Sequence, residues 1–101
     1  MASKSVDANQ VAVVAAFRAA GASVLHLHTL GAGCPDLLIG VDGVDQLVEL
    51  KDGRKRESER RLRPEQVVFH REWRGRSVFV VTSAAEAHAL VARIRDGVPN
   101  F

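Results

Sequence analysis

The chain has 101 residues, of which 47% are hydrophobic and 26% are charged, and its formal net charge is +2. This length predicts one domain of limited stability, because a short chain buries a modest fraction of its surface. The composition excludes a disordered chain, and the longest stretch without Asp, Glu, Lys or Arg, residues 19–35, contains two histidines and three glycines, which excludes a membrane span. No apolar core follows Lys4 as in a signal peptide, and one cysteine cannot form an internal disulfide, so we expect a protein of the reducing cytoplasm.

The charge is distributed unevenly along the chain. Residues 1–50 carry two basic and five acidic side chains, net −3, whereas residues 51–101 carry twelve basic and seven acidic ones, net +5. A basic half favours a polyanionic partner, and the alternative is that these charges form a solvated surface.

A first helix is predicted to begin at Asp7, which can cap it, with Gln10 three residues later at the capping-box position. Apolar residues then recur at helical spacing until Gly21 ends the helix. Residues 1–6 lack this periodicity, and we expect a flexible N-terminus there.

Residues 23–28 alternate as a strand, which places His26 and His28 on one face. Two histidines at this spacing can bind a metal, but no further nitrogen or sulfur ligand lies nearby in the sequence. A polar strand face is the favoured interpretation, and contact with DNA or its phosphate is the alternative. The glycine-rich turn that follows, residues 30–34, would let backbone approach a substrate closely.

The chain is organised around residues 34–51. Two apolar runs, residues 37–41 and 44–50, flank Asp42-Gly43, a pair that favours a two-residue hairpin turn because both turn positions need positive φ. We therefore predict two antiparallel strands with the register that this turn sets; a four-residue turn would place Asp36 opposite Lys51 instead, with the three charges still on one face.

That register brings three charged side chains together. Asp36 lies opposite Glu49, and Lys51 shares the face of Glu49 because side chains alternate along a strand, while the other face is apolar except for Gln46. Two opposed carboxylates repel each other unless a cation lies between them. With a backbone carbonyl they would form a hard-oxygen site for Mg²⁺ or Mn²⁺. The alternative is an exposed sheet face with an ordinary carboxylate–lysine ion pair.

The segment after the hairpin, residues 52–63, is strongly basic and has one apolar residue. We expect a mobile loop beside Lys51 whose cations contact DNA backbone phosphates, and a solvated loop is the alternative. Its basic residues are Arg54, Lys55, Arg56, Arg60, Arg61 and Arg63.

A second helix is predicted from Pro64 to Gly75. Arg63 stands at the cap position, where it offers no acceptor, so we expect a weak first turn. Gln66 lies in that turn and His70 one turn later, and each is either a surface residue or a site residue. The expected apolar stripe consists of Val67, Val68, Phe69 and Trp73.

The continuous apolar run of residues 77–81 predicts a strand buried on both faces. Ser83 and Glu86 then form a capping box for a last helix, which ends at Gly97. The helix between the third and fourth strands is a crossover, so these strands are predicted to be parallel. The domain would therefore span residues 7–96, followed by a tail at residues 97–101.

Pro35-Asp36, followed after a hairpin by Glu49-Leu50-Lys51, resembles the PD-(D/E)XK nuclease motif. The surrounding segments resemble, more specifically, the small stand-alone VRR-NUC nucleases. The similarity extends over roughly residues 9–83 and lies in segments 33–40, 48–53, 62–66, 69–70 and 73–75.

The resemblance implies a metal-dependent DNA endonuclease with a restriction-endonuclease-like α/β core, in which helices flank a mixed central sheet in the order αβββαβα. Asp36 and Glu49 would hold Mg²⁺ or Mn²⁺, with the Leu50 backbone carbonyl as a further ligand. Lys51 would orient the attacking water, and Gln66 would lie near the active site.

The resemblance also implies a branched DNA substrate such as a Holliday junction, a two-fold homodimer, and a bacterial or phage-infected cell. The wider nuclease family often places a metal-facing acid on its first helix, for which this chain offers only Asp7 and Gln10, and the helix cap explains both. A non-catalytic DNA-binding module, with a structural or degenerate metal site, is the alternative function. An enzyme acting on RNA ends is a third, weaker one.

Overall fold

The computed structural model describes residues 8–97, which form an α/β fold with a four-stranded mixed sheet and three α-helices. The predicted cap Asp7 and the terminal segments at residues 1–6 and 98–101 lie outside the described residues. Within residues 8–97 no helix is long and apolar enough to cross a membrane. In chain order the elements are α1 (Ala8–Ala19), β1 (Ser23–His26), β2 (Leu37–Val41), β3 (Val44–Leu50), a short 3₁₀ helix (Glu57–Glu59), α2 (Pro64–Glu72), β4 (Phe79–Val81) and α3 (Ala84–Arg95).

The sheet has the strand order β1-β2-β3-β4. The predicted hairpin is confirmed: Val41 pairs with Val44, and the turn residues Asp42 and Gly43 have φ of 49° and 80°. Strands β3 and β4 are parallel, as the crossover helix predicts. Because β2 and β3 are antiparallel, the start of β2 and the end of β3 meet at one end of the sheet.

The core lies on one face of the sheet, where α1 and α3 pack against each other and against the strands. The apolar face of the hairpin is buried as predicted, since Leu37, Ile39 and Val48 are fully buried together with Phe17 of α1 and Leu90 of α3. Burial of these side chains is the main stabilising contribution, at roughly 1.5–3 kcal/mol each.

Gln46 interrupts this apolar face without leaving its amide unsatisfied. Its Nε2 donates to the carbonyls of Leu47 and Ser77 at 2.7 and 2.8 Å, and its side-chain oxygen accepts from Arg76 Nε at 3.0 Å. A buried amide with partners at both ends avoids the penalty of an unpaired polar group. Gln46 therefore holds the segment that enters β4 against β3.

Both outer strands are shorter than predicted. Strand β1 ends at His26, because a turn closed by the Leu30 N–H donating to the Leu27 carbonyl at 3.0 Å follows it. Leu25 on β1 is 57% exposed. The expected burial of residues 77–81 on both faces is wrong, since β4 is an edge strand in which only Val81 is buried.

The predicted apolar stripe of α2 is not a core face. Val67, Val68 and Trp73 are 45%, 41% and 47% exposed, and the one buried residue of α2 is Gln66. The helix is held through its first turn, where Gly33 (φ +78°) passes so close to the Glu65 carbonyl that an added Cβ would overlap it. The close backbone approach expected of the glycine turn is thus made to α2.

Candidate active site

An open polar cleft lies where the meeting ends of β2 and β3 face the first turns of α1 and α2. The hairpin contributes Asp36, Glu49 and Lys51, which the predicted register had placed together. The helices and the loop before α2 add Asn9, Gln10, Arg63 and Gln66. These side chains leave a cleft lined by carboxylates, amides and cations.

Asp36 is fixed immediately before β2 begins. It follows the buried Pro35, and its Oδ2 accepts a hydrogen bond of 2.8 Å from the backbone N–H of Leu50 at the end of β3. A backbone donor on the neighbouring strand therefore sets the position of this carboxylate relative to Glu49.

Glu49 is 2% exposed, so the exposed-sheet alternative is wrong. Its Oε2 accepts from Gln66 Nε2 at 2.9 Å, whereas its Oε1 is buried and has no hydrogen-bond donor among residues 8–97. A buried carboxylate oxygen without a partner is costly. A proton or a cation beside the atom would remove this penalty.

Electrostatics supports this reading of the pair. Burial raises the pKa of Glu49 to about 7, the negative charge of Asp36 acts in the same direction, and the positive charge of Lys51 opposes both. When Glu49 carries a proton, it can hydrogen-bond to Asp36. Near neutral pH the two carboxyl groups therefore hold either a proton or a cation.

The donor set fits a hard divalent cation. Two carboxylates are present, one with an unpartnered buried oxygen, and Leu50 lines the same cleft. Within residues 8–97 no group of three or more His, Cys, Asp or Glu residues is arranged so that it could hold a metal ion, but Mg²⁺ is commonly bound by one or two carboxylates while keeping several waters. Asp52, which also lines the cleft, has both carboxylate oxygens bonded to Arg54, and these bonds lower its pKa to about 2.

Lys51 presents a fixed cation beside the carboxylates. Its Nζ donates to Gln66 Oε1 at 3.0 Å and lies 3.7 Å from Glu49 Oε2, and its side chain is 12% exposed. Its backbone N–H donates to the Val81 carbonyl at 3.1 Å, which ties it to β4. The ammonium group is thus held by packing and hydrogen bonds before any ligand binds.

Gln66 connects α2 to the site through both ends of its amide. Its oxygen accepts from Lys51 Nζ and from the Arg63 backbone N–H at 2.8 Å, and its nitrogen donates to Glu49. The bond to Arg63 is the reciprocal half of a capping box, since an arginine side chain has no acceptor. The first turn of α2 therefore keeps one of its two capping bonds.

Helix α1 contributes amides to the cleft. Gln10 lines it as one of the predicted candidates, and Asn9 Nδ2 donates to the Lys51 carbonyl at 3.3 Å. Sequence reasoning missed Asn9, because an uncharged side chain gives no signal of its own. The helical repeat could have identified Asn9 as a residue on the inner side of α1, since it precedes the buried Val13 and Phe17 by four and eight residues.

The predicted DNA-binding cations divide into two groups. Arg63 lines the cleft. Those of residues 54–61 lie on the surface, where Arg54 pairs with Asp52 and Arg56 with Glu59 at 2.9 and 3.0 Å, and Arg60 Nε donates to the Lys55 carbonyl. Exposed ion pairs are weak, so these side chains remain able to exchange partners with phosphate.

The histidines differ in position. His28 is exposed, its ring centroid lies 6.0 Å from that of His26, and it does not line the cleft. His70 lies one turn beyond Gln66 on α2 with its Nε2 buried and unpartnered within residues 8–97. Burial, and then the charge of Lys51, lowers the pKa of His70, so this imidazole is neutral at pH 7.

Cys34 lines the cleft but is not activated. Burial, followed by the charges of Asp36 and Glu49, raises the pKa of its thiol. A thiolate is the nucleophilic form of cysteine, so the site does not favour cysteine chemistry.

Comparisons of the chain with models of protein families, with curated proteins and with solved structures found no match. The motif residues and the geometry of the cleft are therefore the features that bear on function.

Proposed function

We propose that the protein is a metal-dependent DNA endonuclease of the VRR-NUC type, with a PD-(D/E)XK core, that hydrolyses phosphodiester bonds in branched DNA. The observation that carries this proposal is the buried, unpartnered Oε1 of Glu49 beside Asp36, within reach of the fixed ammonium group of Lys51. An ordinary structural ion pair does not need a second carboxylate or an unsatisfied buried oxygen.

Asp36 and Glu49 would hold Mg²⁺ or Mn²⁺, with the Leu50 backbone carbonyl as a further ligand. When bound there, the ion supplies Lewis-acid polarisation of the phosphate and lowers the pKa of a coordinated water. The proposal places the metal in a cleft that also contains the lysine and the amide groups.

The residues of the chain itself orient the reactants. Lys51 orients the attacking water and stabilises the negative charge that develops on the phosphate, because its ammonium group lies beside the carboxylates without being a ligand. Gln66 fixes both Lys51 and Glu49 by hydrogen bonds. Positioned charges of this kind stabilise a transition state without reorganisation during the reaction.

DNA binding would extend from the cleft over the basic surface. Arg63 stands at the cleft, and the adjoining loop presents four exposed cations and the half-buried Arg60. The exposed ones are Arg54, Lys55, Arg56 and Arg61. Contacts of these side chains to phosphates would supply affinity independent of base sequence. Symmetric cleavage of a four-way junction requires two active sites, so the proposal includes a two-fold homodimer.

A non-catalytic DNA-binding module is the second candidate. The observation that favours it is that, within residues 8–97, no group of three or more His, Cys, Asp or Glu residues is arranged so that it could hold a metal ion. Such a module would keep the basic surface and the carboxylate pair without turning over a substrate.

The two candidates are separated by a cleavage assay on labelled four-way junction, flap, nicked and linear DNA with Mg²⁺, Mn²⁺ or EDTA. We expect cutting of branched DNA in either metal, none in EDTA, and none by Asp36→Asn. Asp45→Asn is the matched control, because it removes an exposed carboxylate from the same hairpin outside the cleft. Metal-independent binding without cutting of any structure would assign the protein to the second candidate.

A further inference from the structure

At the end of helix α2 lies an aromatic pair, half-buried Phe69 and exposed Trp73, that belongs to neither the buried core nor the cleft. The rings of Phe69 and Trp73 are stacked with centroids 5.4 Å apart and an interplanar angle of 11°. Trp73 is 47% exposed although tryptophan has a large apolar surface, and its backbone N–H donates to the Phe69 carbonyl at 3.0 Å. The pair is thus held by the backbone and by stacking, with part of the indole in solvent.

The local backbone fixes where the indole faces. An added Cβ at Gly75 would lie 2.8 Å from Trp73 Nε1, so the glycine makes room for the indole edge. Phe69 covers part of one ring face, and 47% of the Trp73 surface remains exposed. A flat aromatic surface that is already supported from behind is suited to stacking.

The charge around the indole is positive. Arg71, Glu72 and Arg74 line a surface depression with Trp73. The ion pair between Arg71 and Glu72 is long, at 3.7 Å, with both side chains 67% exposed, and Arg74 has no ion pair within residues 8–97. Exposed arginines beside an aromatic face are the combination that binds a nucleotide, because the ring stacks on the base and the cations hold the phosphate.

We propose that Trp73, supported by Phe69 and flanked by Arg71 and Arg74, is a stacking platform for an unpaired base of a nucleic acid. The inference rests on the proposed function for its ligand, and it identifies an unpaired base as the part of the substrate that this surface binds. Trp73 lies seven residues beyond Gln66, about 10 Å along the helix axis. A base that is unstacked at a branch point would therefore be held near the cleaved phosphate.

A second copy of the chain fits this surface less well. In a two-fold contact the patch would face itself, which would bring Arg71 and Arg74 against their own symmetry mates. Like charges across an interface disfavour it. The positive charge and the flat ring together favour a single-stranded polyanion.

The chain has one tryptophan and no tyrosine, so its intrinsic fluorescence reports on Trp73 alone. The wild-type protein is titrated in EDTA with an oligothymidylate of about 12 nucleotides, within the usual range of single-strand site sizes, and with a blunt duplex of equal length. We expect saturable quenching by the single strand and little by the duplex. Binding of the labelled single strand, measured by anisotropy, with unchanged emission would overturn the inference. Emission that changes on dilution without DNA, together with a change of mass in sedimentation, would also overturn it, in favour of a second copy.

Substitutions test the same point through affinity. Trp73→Ala should weaken oligothymidylate binding by roughly 10-fold or more, as loss of one stacked base predicts, and Trp73→Phe should retain most of it. Val67→Ala on the same helix is similarly exposed and should bind as wild type. Equal affinity of Trp73→Ala and Val67→Ala, with both folded by circular dichroism, contradicts the platform.

The failure of this inference is distinguishable from failure of the proposed function. Metal-dependent cutting of branched DNA with no quenching of Trp73 would remove the platform and leave the nuclease. Quenching by single strands with no cutting in either metal would remove the nuclease and leave the platform.

Discussion

Replacing Glu49 with glutamine should make the metal-free protein more stable at alkaline pH. In the folded protein the carboxyl group keeps its proton up to about pH 7, whereas in the unfolded chain it loses the proton near its ordinary pKa of 4.5. Below pH 4.5 the group is protonated in both states, so it does not make the free energy of unfolding depend on pH. As pH rises from 4.5 to 7 the unfolded state alone gains from ionisation, and stability falls.

The magnitude follows from the size of the shift. At 1.36 kcal/mol per pKa unit, the loss between pH 4.5 and pH 8 is about 3 kcal/mol, or on the order of 10 °C in Tm for a domain of this size. Glutamine mimics the protonated carboxyl group, because its amide can donate to Asp36 and its oxygen can accept from Gln66. The variant should therefore lack this part of the pH dependence.

The assay is urea unfolding of wild type and Glu49→Gln in EDTA between pH 5 and pH 8. The titrating groups outside the Asp36–Glu49 pair are common to both proteins, so the difference in unfolding free energy reports on that pair. We expect this difference to grow by about 2.5 kcal/mol across the range in favour of the variant. Mg²⁺ should then restabilise the wild type at pH 8 and leave the variant unchanged, because the proposed site needs both carboxylates to hold the ion. A difference that stays constant with pH would refute the reasoning.

Two further predictions concern the surface loop and the anchoring of α2. Joint replacement of Arg54, Lys55 and Arg56 by alanine should weaken DNA binding with little change in Tm. It should also flatten the salt dependence of binding, by about 0.9 in the slope of log K against log salt for each lost phosphate contact. An unchanged slope would show that these side chains contact solvent and not DNA. Gly33→Ala should lower Tm by more than Gly31→Ala. Both variants lose about 1 kcal/mol of stability at positive φ, but only the added Cβ at Gly33 meets the Glu65 carbonyl. Thermal unfolding of the two variants tests this, and equal Tm values would contradict it.

The parts that local chemistry determines could be predicted from the sequence. Asp42-Gly43 defines the turn, the turn fixes the register, and the register brings Asp36, Glu49 and Lys51 together. Each of these three inferences depends on residues close in sequence. The α/β class follows from the same reasoning, since the periodicities of the helices and strands are local.

The parts that depend on packing could not be predicted. The apolar residues of α2 look like a core stripe in sequence, yet the helix is held through Gln66 and against Gly33, and Trp73 remains exposed. Asn9 gives no charge signal, and its contact with Lys51 spans 42 positions. Such contacts depend on how the helices pack against the sheet, and a short sequence segment carries no information on that packing.

The central claim, that Asp36, Glu49 and Lys51 form a phosphodiester-cleaving site, is tested most directly by Lys51→Ala. Single-turnover cleavage of a four-way junction is measured with saturating enzyme in Mg²⁺, beside junction affinity in Ca²⁺. In the proposed site Lys51 is not a metal ligand, and phosphate contacts elsewhere would supply most of the affinity, so binding should be largely retained. The cleavage rate should fall on the order of 10²-fold or more, as when a positioned electrostatic group is lost from a transition state. Cleavage by Lys51→Ala at the wild-type rate would contradict the account.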